Sequence, residues 1–423
     1  MSQNNSDDQR NQIINNNDNS NDNNDNNDNS NDNSNDNNDN SNDKYNELSS
    51  WDDLNIKRNL LRGIYAYGFE TPSSIQRKAI LPIISGRDMI AQAQSGTGKT
   101  GCFAIGALEV INSELNKVQA IIIVPTHELS YQVKDVVDNI GNLIPNLKSQ
   151  LFIGGISIDK CLNDLHNNTP QIIIGCPGRI YDMIRRRYLT TKDIKLLVID
   201  EADEMLSSGF KEQIYNIFHY LPNNVQINLF SATMPPDLYK LTEKFMRNPI
   251  KILVKTEMLT LEGIRQYYIN VQDDSVKYET LKDLFGTFSV SQCIIYCNSI
   301  KRVIDLYDAM IIDEFPVCQI HSNMDKDERH TSYKDFVSGK YRVLISSNIT
   351  ARGIDVQQVE TVINFDIPTS VHIYLHRIGR SGRWGRKGIG INFITRRDCR
   401  QLKDIESYYN TEIKELPCNY KNL

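Results

Sequence analysis

The sequence predicts an α/β protein made of two tandem doubly wound parallel sheets behind a disordered N-terminal tail, and three observations carry that expectation. Short continuous apolar runs, of which Lys195-Leu196-Leu197-Val198-Ile199 is one, alternate with amphipathic stretches from residue 45 to residue 250. A strand covered by helices on both faces reads as such a run, whereas a strand with one wet face alternates apolar and polar residues. The alternation restarts after Gly263 and continues toward the C-terminus. Finally, 423 residues exceed what one core organises and suit about two domains of roughly 150 to 200 residues with a tail.

Residues 1–44 are almost wholly Asn, Asp and Ser, with ten aspartates against Arg10 and Lys44, a charge of −8. The chain as a whole carries −6, which leaves +2 on everything else, so the acidic balance belongs to the tail. Such a segment cannot bury enough apolar surface to offset its ordering entropy and is expected to be disordered. It has neither the basic start nor the apolar centre of a secretory signal, and no apolar run in the chain reaches membrane-spanning length. The expectation is a soluble intracellular protein, cytoplasmic with the nucleus as alternative, that touches no membrane. Eight cysteines without a C-x-x-C pair read as reduced core thiols. No zinc site is expected. Cys293 and Cys297 share a strand face without completing ligands, and Ile373 follows His372 where a zincin carries glutamate.

In the first half the expected strands are Met89-Ile90-Ala91, Ala120 to Val124, Gln171 to Gly175, Lys195 to Ile199 and Gln226 to Phe230. In the second they are Gln292 to Tyr296, Val317 to Ile320, Tyr341 to Ile345, Thr361 to Asn364 and Gly388 to Phe393. The domains are accordingly drawn at 45–250 and 264–423, with 251–263 as connector.

The chemistry begins directly after the first strand. Ala93-Gln94-Ser95-Gly96-Thr97-Gly98-Lys99-Thr100 joins that strand to a helix start. Glycines at 96 and 98 permit turn conformations closed to residues with a Cβ, so that backbone N–H groups converge on one anion. Lys99 adds a point charge for the β- and γ-phosphates, and Thr100 offers a hydroxyl to Mg²⁺. Ala93 stands where the generic loop has its first glycine. Asp200 and Glu201 follow the apolar run at 195–199, at the strand end where ligands of open α/β sheets gather. Asp200 is placed to hold Mg²⁺ and Glu201 to deprotonate the water that attacks the γ-phosphate. Only the first half holds a phosphate loop, so the second must serve the nucleotide across a cleft. It offers His376-Arg377-Ile378-Gly379-Arg380-Ser381-Gly382-Arg383, three arginines at spacings of three on an expected helix, with Arg380 and Arg383 as fingers for transition-state charge.

These residues resemble the DEAD-box RNA helicases, whose eponymous tetrapeptide stands at Asp200-Glu201-Ala202-Asp203. The resemblance covers about residues 46 to 423 and implies two RecA-like domains, ATP and Mg²⁺ as cofactors, and RNA held through its backbone without regard to sequence. Gly68 to Gln76 resembles the Q motif, which implies adenine contacts from Phe69 and Gln76, with Trp51 at the upstream aromatic position. Ser231-Ala232-Thr233 resembles the coupling motif and implies Asp203 as its partner, with His376 and Arg377 in the same coupling set. Ala351-Arg352-Gly353-Ile354-Asp355 resembles the motif that meets the ribose through Asp355 and the RNA side through Arg352 and Gly353. Pro125, Thr126, Gly154, Gly155, Pro177, Gly178, Arg179, His321 and Arg329 fall where the family holds RNA.

Some positions depart from the family pattern: His127 for Arg, Cys176 for Thr, Ser322-Asn323 for Gly-Asp, Lys326 for Gln and Asn348 for Asp. Nearly all touch the RNA path or the lobe interface. Within the family the sequence is most similar to the initiation factor 4A branch, which includes exon-junction and ribosome-biogenesis relatives. The implied activity is RNA-dependent ATP hydrolysis that binds, locally unwinds and releases RNA, with partner proteins that stimulate or lock lobe closure and no DNA partner. An ATP-gated RNA clamp is the alternative, and a DNA-directed motor a more distant one.

Overall fold

The apolar runs become the central strands of two sheets, and the polar stretches between them become covering helices. The computed structural model describes residues 48–417 apart from 95, 208, 254–262, 288–290, 351–358 and 382–387. Among the described residues the first sheet holds β1 (Met89–Gln92), β2 (Ala120–Ile123), β3 (Ser149–Phe152), β4 (Ile172–Gly175), β5 (Leu196–Ile199), β6 (Gln226–Ser231) and β7 (Ile250–Ile252). Their order is β3-β4-β2-β5-β6-β1-β7, and every neighbouring pair is parallel. The second sheet holds β8 (Ile264–Asn270), β9 (Cys293–Tyr296), β10 (Val317–Ile320), β11 (Val343–Ser346), β12 (Thr361–Asn364), β13 (Gly388–Ile394) and β14 (Lys414–Glu415). Its order is β10-β11-β9-β12-β13-β8-β14, again all parallel, which is the first order with each strand number raised by seven.

Period-two geometry sends alternate residues of one run into different cores. In β2, Ala120 and Ile122 join Phe103, Leu196, Val198 and Phe230 on one face, while Ile121 and Ile123 join Ile173, Leu197 and Ile199 on the other. Each such side chain contributes about 1.5–3 kcal/mol by leaving water. That continuous burial is why β2, β4 and β5 are unbroken apolar runs.

Four strands lie outside the sequence expectation. Ser149 and Gln150 of β3 and most of β8 are only half-buried, so neither reads as a continuous run. β14 is two exposed residues. β7 corrects the connector: Ile250, Lys251 and Ile252 pair with Met89, Ile90 and Ala91, so the first sheet reaches two residues into the span expected to be linker.

Candidate active site

β1 ends at Gln92, and the chain turns into the glycine loop at once. Ala93 donates its N–H to the Ser231 carbonyl at 3.0 Å, which ties the start of the loop to the end of β6. Gly98 has φ 99° and caps the helix Lys99–Val110. A Cβ there would lie 2.9 Å from both Gln76 Nε2 and Ser73 Oγ, so glycine is needed for packing as well as for the turn. Lys99 is 6 % exposed and donates from Nζ to the Ala93 carbonyl at 2.7 Å. An ammonium has three donors, and among the described residues this carbonyl takes one of them. Thr97 Oγ1 donates to the Gln94 carbonyl at 2.8 Å. Gly96 and Thr100 are half-buried beside it, and Ser95 lies outside the described residues.

The Q-motif segment grips this loop from behind. Ser73 Oγ donates to the Thr97 carbonyl at 2.8 Å, Gln76 Oε1 accepts from Ser73 N at 2.8 Å, and Gln76 Nε2 donates to the Gly98 carbonyl at 3.3 Å. The amide expected to read adenine is thus also a strut under the phosphate loop. Phe69 stacks on Trp51 at 6.2 Å and 17° between planes. Trp51, placed with the ATP-binding residues by its upstream aromatic position, is 0 % exposed and backs Phe69, which stays half-buried at the surface.

β5 delivers the acidic edge. Asp200 and Glu201 are buried, and Asp200 Oδ1 accepts from Glu201 N at 3.0 Å. Glu201 has φ 53°, a left-handed backbone that costs a residue with a Cβ roughly 1–2 kcal/mol. Strain of that kind concentrates where it aims a side chain. Burial, then the neighbouring Glu201 charge, pushes the Asp200 carboxyl up. Burial would push Glu201 up as well, but Lys99, His376 and Arg380 together outweigh it and hold Glu201 below the usual carboxylate range. Glu201 Oε2 is buried and makes no hydrogen bond among the described residues. That orphaned oxygen is left open for a water, and the Asp200 carboxylate and Thr100 hydroxyl are hard-oxygen donors of the kind Mg²⁺ takes.

Two residues further on, the two lobes meet. Asp203 Oδ2 accepts from Thr233 Oγ1 at 2.6 Å and lies 3.0 Å from His376 Nε2 of the second lobe. Ser231 Oγ donates to the Thr233 carbonyl at 2.7 Å and accepts from Asp203 N at 3.4 Å. His376 Nδ1 is 3.8 Å from Glu201 Oε2.

The arginines differ from expectation. The helix Val371–Ile378 stops at the Gly379 cap, so Arg377 and Arg380 do not share a helix face. Arg377 is fully buried inside the second lobe. Nε and Nη2 donate to Asn348 Oδ1 at 2.9 and 2.6 Å, Nη2 also to Asn298 Oδ1 at 2.7 Å, and Nη1 to Asn364 Oδ1 at 3.1 Å and the Asp366 carbonyl at 2.8 Å. It clasps the ends of β9, β11 and β12 and reaches no first-lobe group in these bonds, so it positions the lobe and does not itself bridge the interface. Burial pulls its guanidinium down to about 10. Arg380 is buried, donates from Nε to the His376 carbonyl at 3.2 Å, and lies close enough to Glu201 to lower its proton affinity. Arg352, Gly353, Asp355 and Arg383 lie outside the described residues.

A cavity of about 960 Å³ opens between the lobes. Pro125, Thr126, Gly154, Gly178 and Arg179 line it from the first lobe, and Lys326, Arg329 and Asn348 from the second. Three residues expected there do not line it. His321 is buried at the end of β10, Pro177 is the buried first residue of its helix, and Gly155 lies beneath Lys326. Arg329 is committed across the interface: its Nε lies 2.7 Å from Glu128 Oε1, with both side chains nearly buried, and its Nη2 lies 3.4 Å from His127 Nδ1. Gln132 bonds to the Tyr333 hydroxyl, and Tyr131 packs on His330 at 4.8 Å. Sequence reasoning missed this fastening of helix His127–Gly141 to helix Lys326–Val337, because each partner is an ordinary polar helix residue until the lobes come together.

An enzyme whose hydrolytic residues are divided between two parallel-sheet lobes belongs, by architecture, with the two-lobed helicases. Residues 73–241 match the DEAD/DEAH box helicase profile and residues 276–385 the helicase conserved C-terminal domain. The chain is 50 % identical over 380 residues to ATP-dependent RNA helicase eIF4A of Pyricularia oryzae, covering 90 % of this chain and 96 % of that protein. It is also 50 % identical over 374 residues to the eIF4A of Scheffersomyces stipitis, covering 88 % and 94 %. The solved structure of S. cerevisiae Dbp5 bound to RNA and ADP BeF3 matches with a TM-score of 0.82 at 34 % identity, over 88 % of this chain and 96 % of that one. The chain belongs to the DEAD-box helicase family, in its initiation factor 4A branch.

Proposed function

We propose that this protein is an ATP-dependent RNA helicase of the initiation factor 4A type, acting on RNA in translation initiation in the cytoplasm. ATP sits on the loop 93–100, with Lys99 at its phosphates and Phe69 and Gln76 at its base. Thr100 and Asp200 would hold Mg²⁺, which would neutralise charge developing on the phosphates. Glu201, kept ionised by Lys99, His376 and Arg380, takes the proton of the attacking water. Arg380 reaches that centre from the second lobe only when the lobes are together, so hydrolysis requires closure. RNA runs through the interlobe cavity, held by its backbone and read by shape and not by sequence. Closure strips a few base pairs, hydrolysis releases the strand, and partner proteins act by favouring or blocking closure.

The observation that carries this reading is the single oxygen Asp203 Oδ2, which contacts Thr233 of one lobe and His376 of the other beside Glu201. The test is steady-state ATP hydrolysis with single-stranded RNA, with matched DNA and with neither, together with unwinding of a short RNA duplex. Glu201→Gln should lower turnover by about 10²–10⁴-fold while leaving ATP-dependent RNA binding in place. Normal turnover in that variant would remove Glu201 from the role of base. The buried Glu128–Arg329 fastening favours a second reading, a clamp that opens slowly. ATP-dependent RNA retention without measurable unwinding would select it.

A further inference from the structure

Helix Val371–Ile378 carries His376 to Asp203, and its inward face holds two polar side chains among the apolar ones. Tyr374 and Arg377 are three residues apart, so they share that face, and both are fully buried. From Arg377 a single file of hydrogen bonds crosses the sheet. Arg377 Nη1 donates to Asn364 Oδ1 of β12 at 3.1 Å, and Asn364 Nδ2 donates to Asn392 Oδ1 of β13 at 2.8 Å. Asn392 Nδ2 donates to the Tyr374 hydroxyl at 3.4 Å and to the Tyr267 carbonyl at 2.9 Å. The Tyr374 hydroxyl donates to Gln266 Oε1 of β8 at 2.7 Å, and Gln266 Nε2 to Thr411 Oγ1 at 3.2 Å. Asn364 and Asn392 are register partners on neighbouring strands, and they and Gln266 are buried.

The file has a direction. A guanidinium has donors and no acceptor, so Arg377 fixes which way the Asn364 amide faces, and each group then fixes the next. Burial pushes the Tyr374 phenol up, so it keeps the proton it gives to Gln266. The bonds leave the helix at Arg377 and return to it at Tyr374, which ties the helix to the sheet at two points. Leu375 and Ile378 of the same helix sit in the core, but apolar contact is non-directional and tolerates a small turn of the helix. A hydrogen bond does not, because it weakens steeply when bent. We propose that Tyr374, through Asn392 and Gln266, is a positioning residue for ATP hydrolysis: together with Arg377 it sets the helix so that His376 meets Asp203 when the lobes close. This inference rests on the reading of the protein as an ATPase that requires closure. Phenylalanine at 374 would fill the same space and leave the helix free to turn about its Arg377 anchor.

The test compares the full chain with two variants by RNA-stimulated kcat, ADP affinity and the midpoint of urea unfolding. Tyr374→Phe removes one buried hydroxyl, and kcat should fall by about 2- to 10-fold, the worth of a hydrogen bond expressed as a rate. ADP affinity should stay at the wild-type value, since the loop that holds the phosphates belongs to the first lobe. The urea midpoint should drop, because Gln266 Oε1 is left buried without that donor. Tyr374→Phe/Gln266→Leu removes both ends of the bond, so the midpoint should recover toward wild type while kcat stays low. A kcat that recovers together with the midpoint makes Tyr374 a packing residue only and overturns the proposal. So does a Tyr374→Phe protein that is less stable yet turns over ATP at the wild-type rate. Wild-type protein whose ATP hydrolysis RNA does not stimulate overturns the helicase reading and this inference with it, and that failure shows before any substitution is made.

Discussion

The two lobes are built on one strand order, yet their corresponding strand ends have opposite fates. β1 of the first sheet corresponds to β8 of the second, and β5 to β12. Lys99 opens a helix seven residues after the end of β1, and Lys277 opens a helix seven residues after the end of β8. Asp200 follows β5 directly, and Asp366 follows β12 by two residues. In the first lobe Lys99 meets a carbonyl of its own loop and Glu201 keeps an unbonded carboxylate oxygen. In the second, Lys277 Nζ lies 3.2 Å from Asp366 Oδ1 and 2.9 Å from Asp274, while Asp366 Oδ2 accepts the Asn298 N–H at 3.0 Å and lies 2.9 Å from Arg302 Nε. A buried ion pair repays its desolvation only when its remaining lone pairs and protons are satisfied. The second lobe meets that condition internally; the first leaves it to a ligand. The same frame is a binding site where its charges stay open and a girder where they close on each other.

The largest effect that would break this contrast is at Lys277. Lys277→Ala leaves Asp366 buried without its ammonium and should destabilise the protein by about 3–5 kcal/mol, with the double variant Lys277→Met/Asp366→Asn recovering most of it. Chemical denaturation that finds Lys277→Ala as stable as wild type would end the comparison. Lys99→Ala is its mirror. Turnover should fall on the order of 10²–10³-fold, while the melting temperature stays near that of wild type. A sharper and smaller test concerns the charges that the second lobe brings to the first. His127 is held near 4 in the folded protein against an ordinary 6.5, so the unfolded chain binds the extra proton between those values. Stability should therefore drop as pH falls from 6.5 toward 4, by up to about 1.4 kcal/mol per pH unit from this group. His127→Gln should flatten that part of the profile in urea titrations.

Most of the first-lobe site was legible because each piece is local. The glycine loop, Asp200-Glu201 and Ser231-Ala232-Thr233 are contiguous residues that leave the ends of β1, β5 and β6. The central strands were legible for the same reason, since burial on both faces writes itself as an apolar run. What escaped depends on residues distant in sequence. Arg377 looked like a coupling residue on one helix face with Arg380 because spacing shows nothing of Asn298, Asn348 and Asn364, which turn it inward. The burial of Trp51 behind Phe69 was not legible because it is settled by the core and not by its neighbours in the chain. β8, with one of its seven residues buried, and β7, three residues long, were illegible because partly wet strands carry no period of their own in so short a span.

Asp203 Oδ2 is a single atom on which both lobes converge. Thr233 and His376 address the same atom, one from within the ATP-binding lobe and one from across the divide. The oxygen has a lone pair for each of them, so both contacts stand at once only when the lobes are together. Thr233 alone leaves the oxygen half-addressed, and His376 can take its place only after the whole second lobe has swung in. The contact across the divide at this atom belongs to the closed arrangement alone.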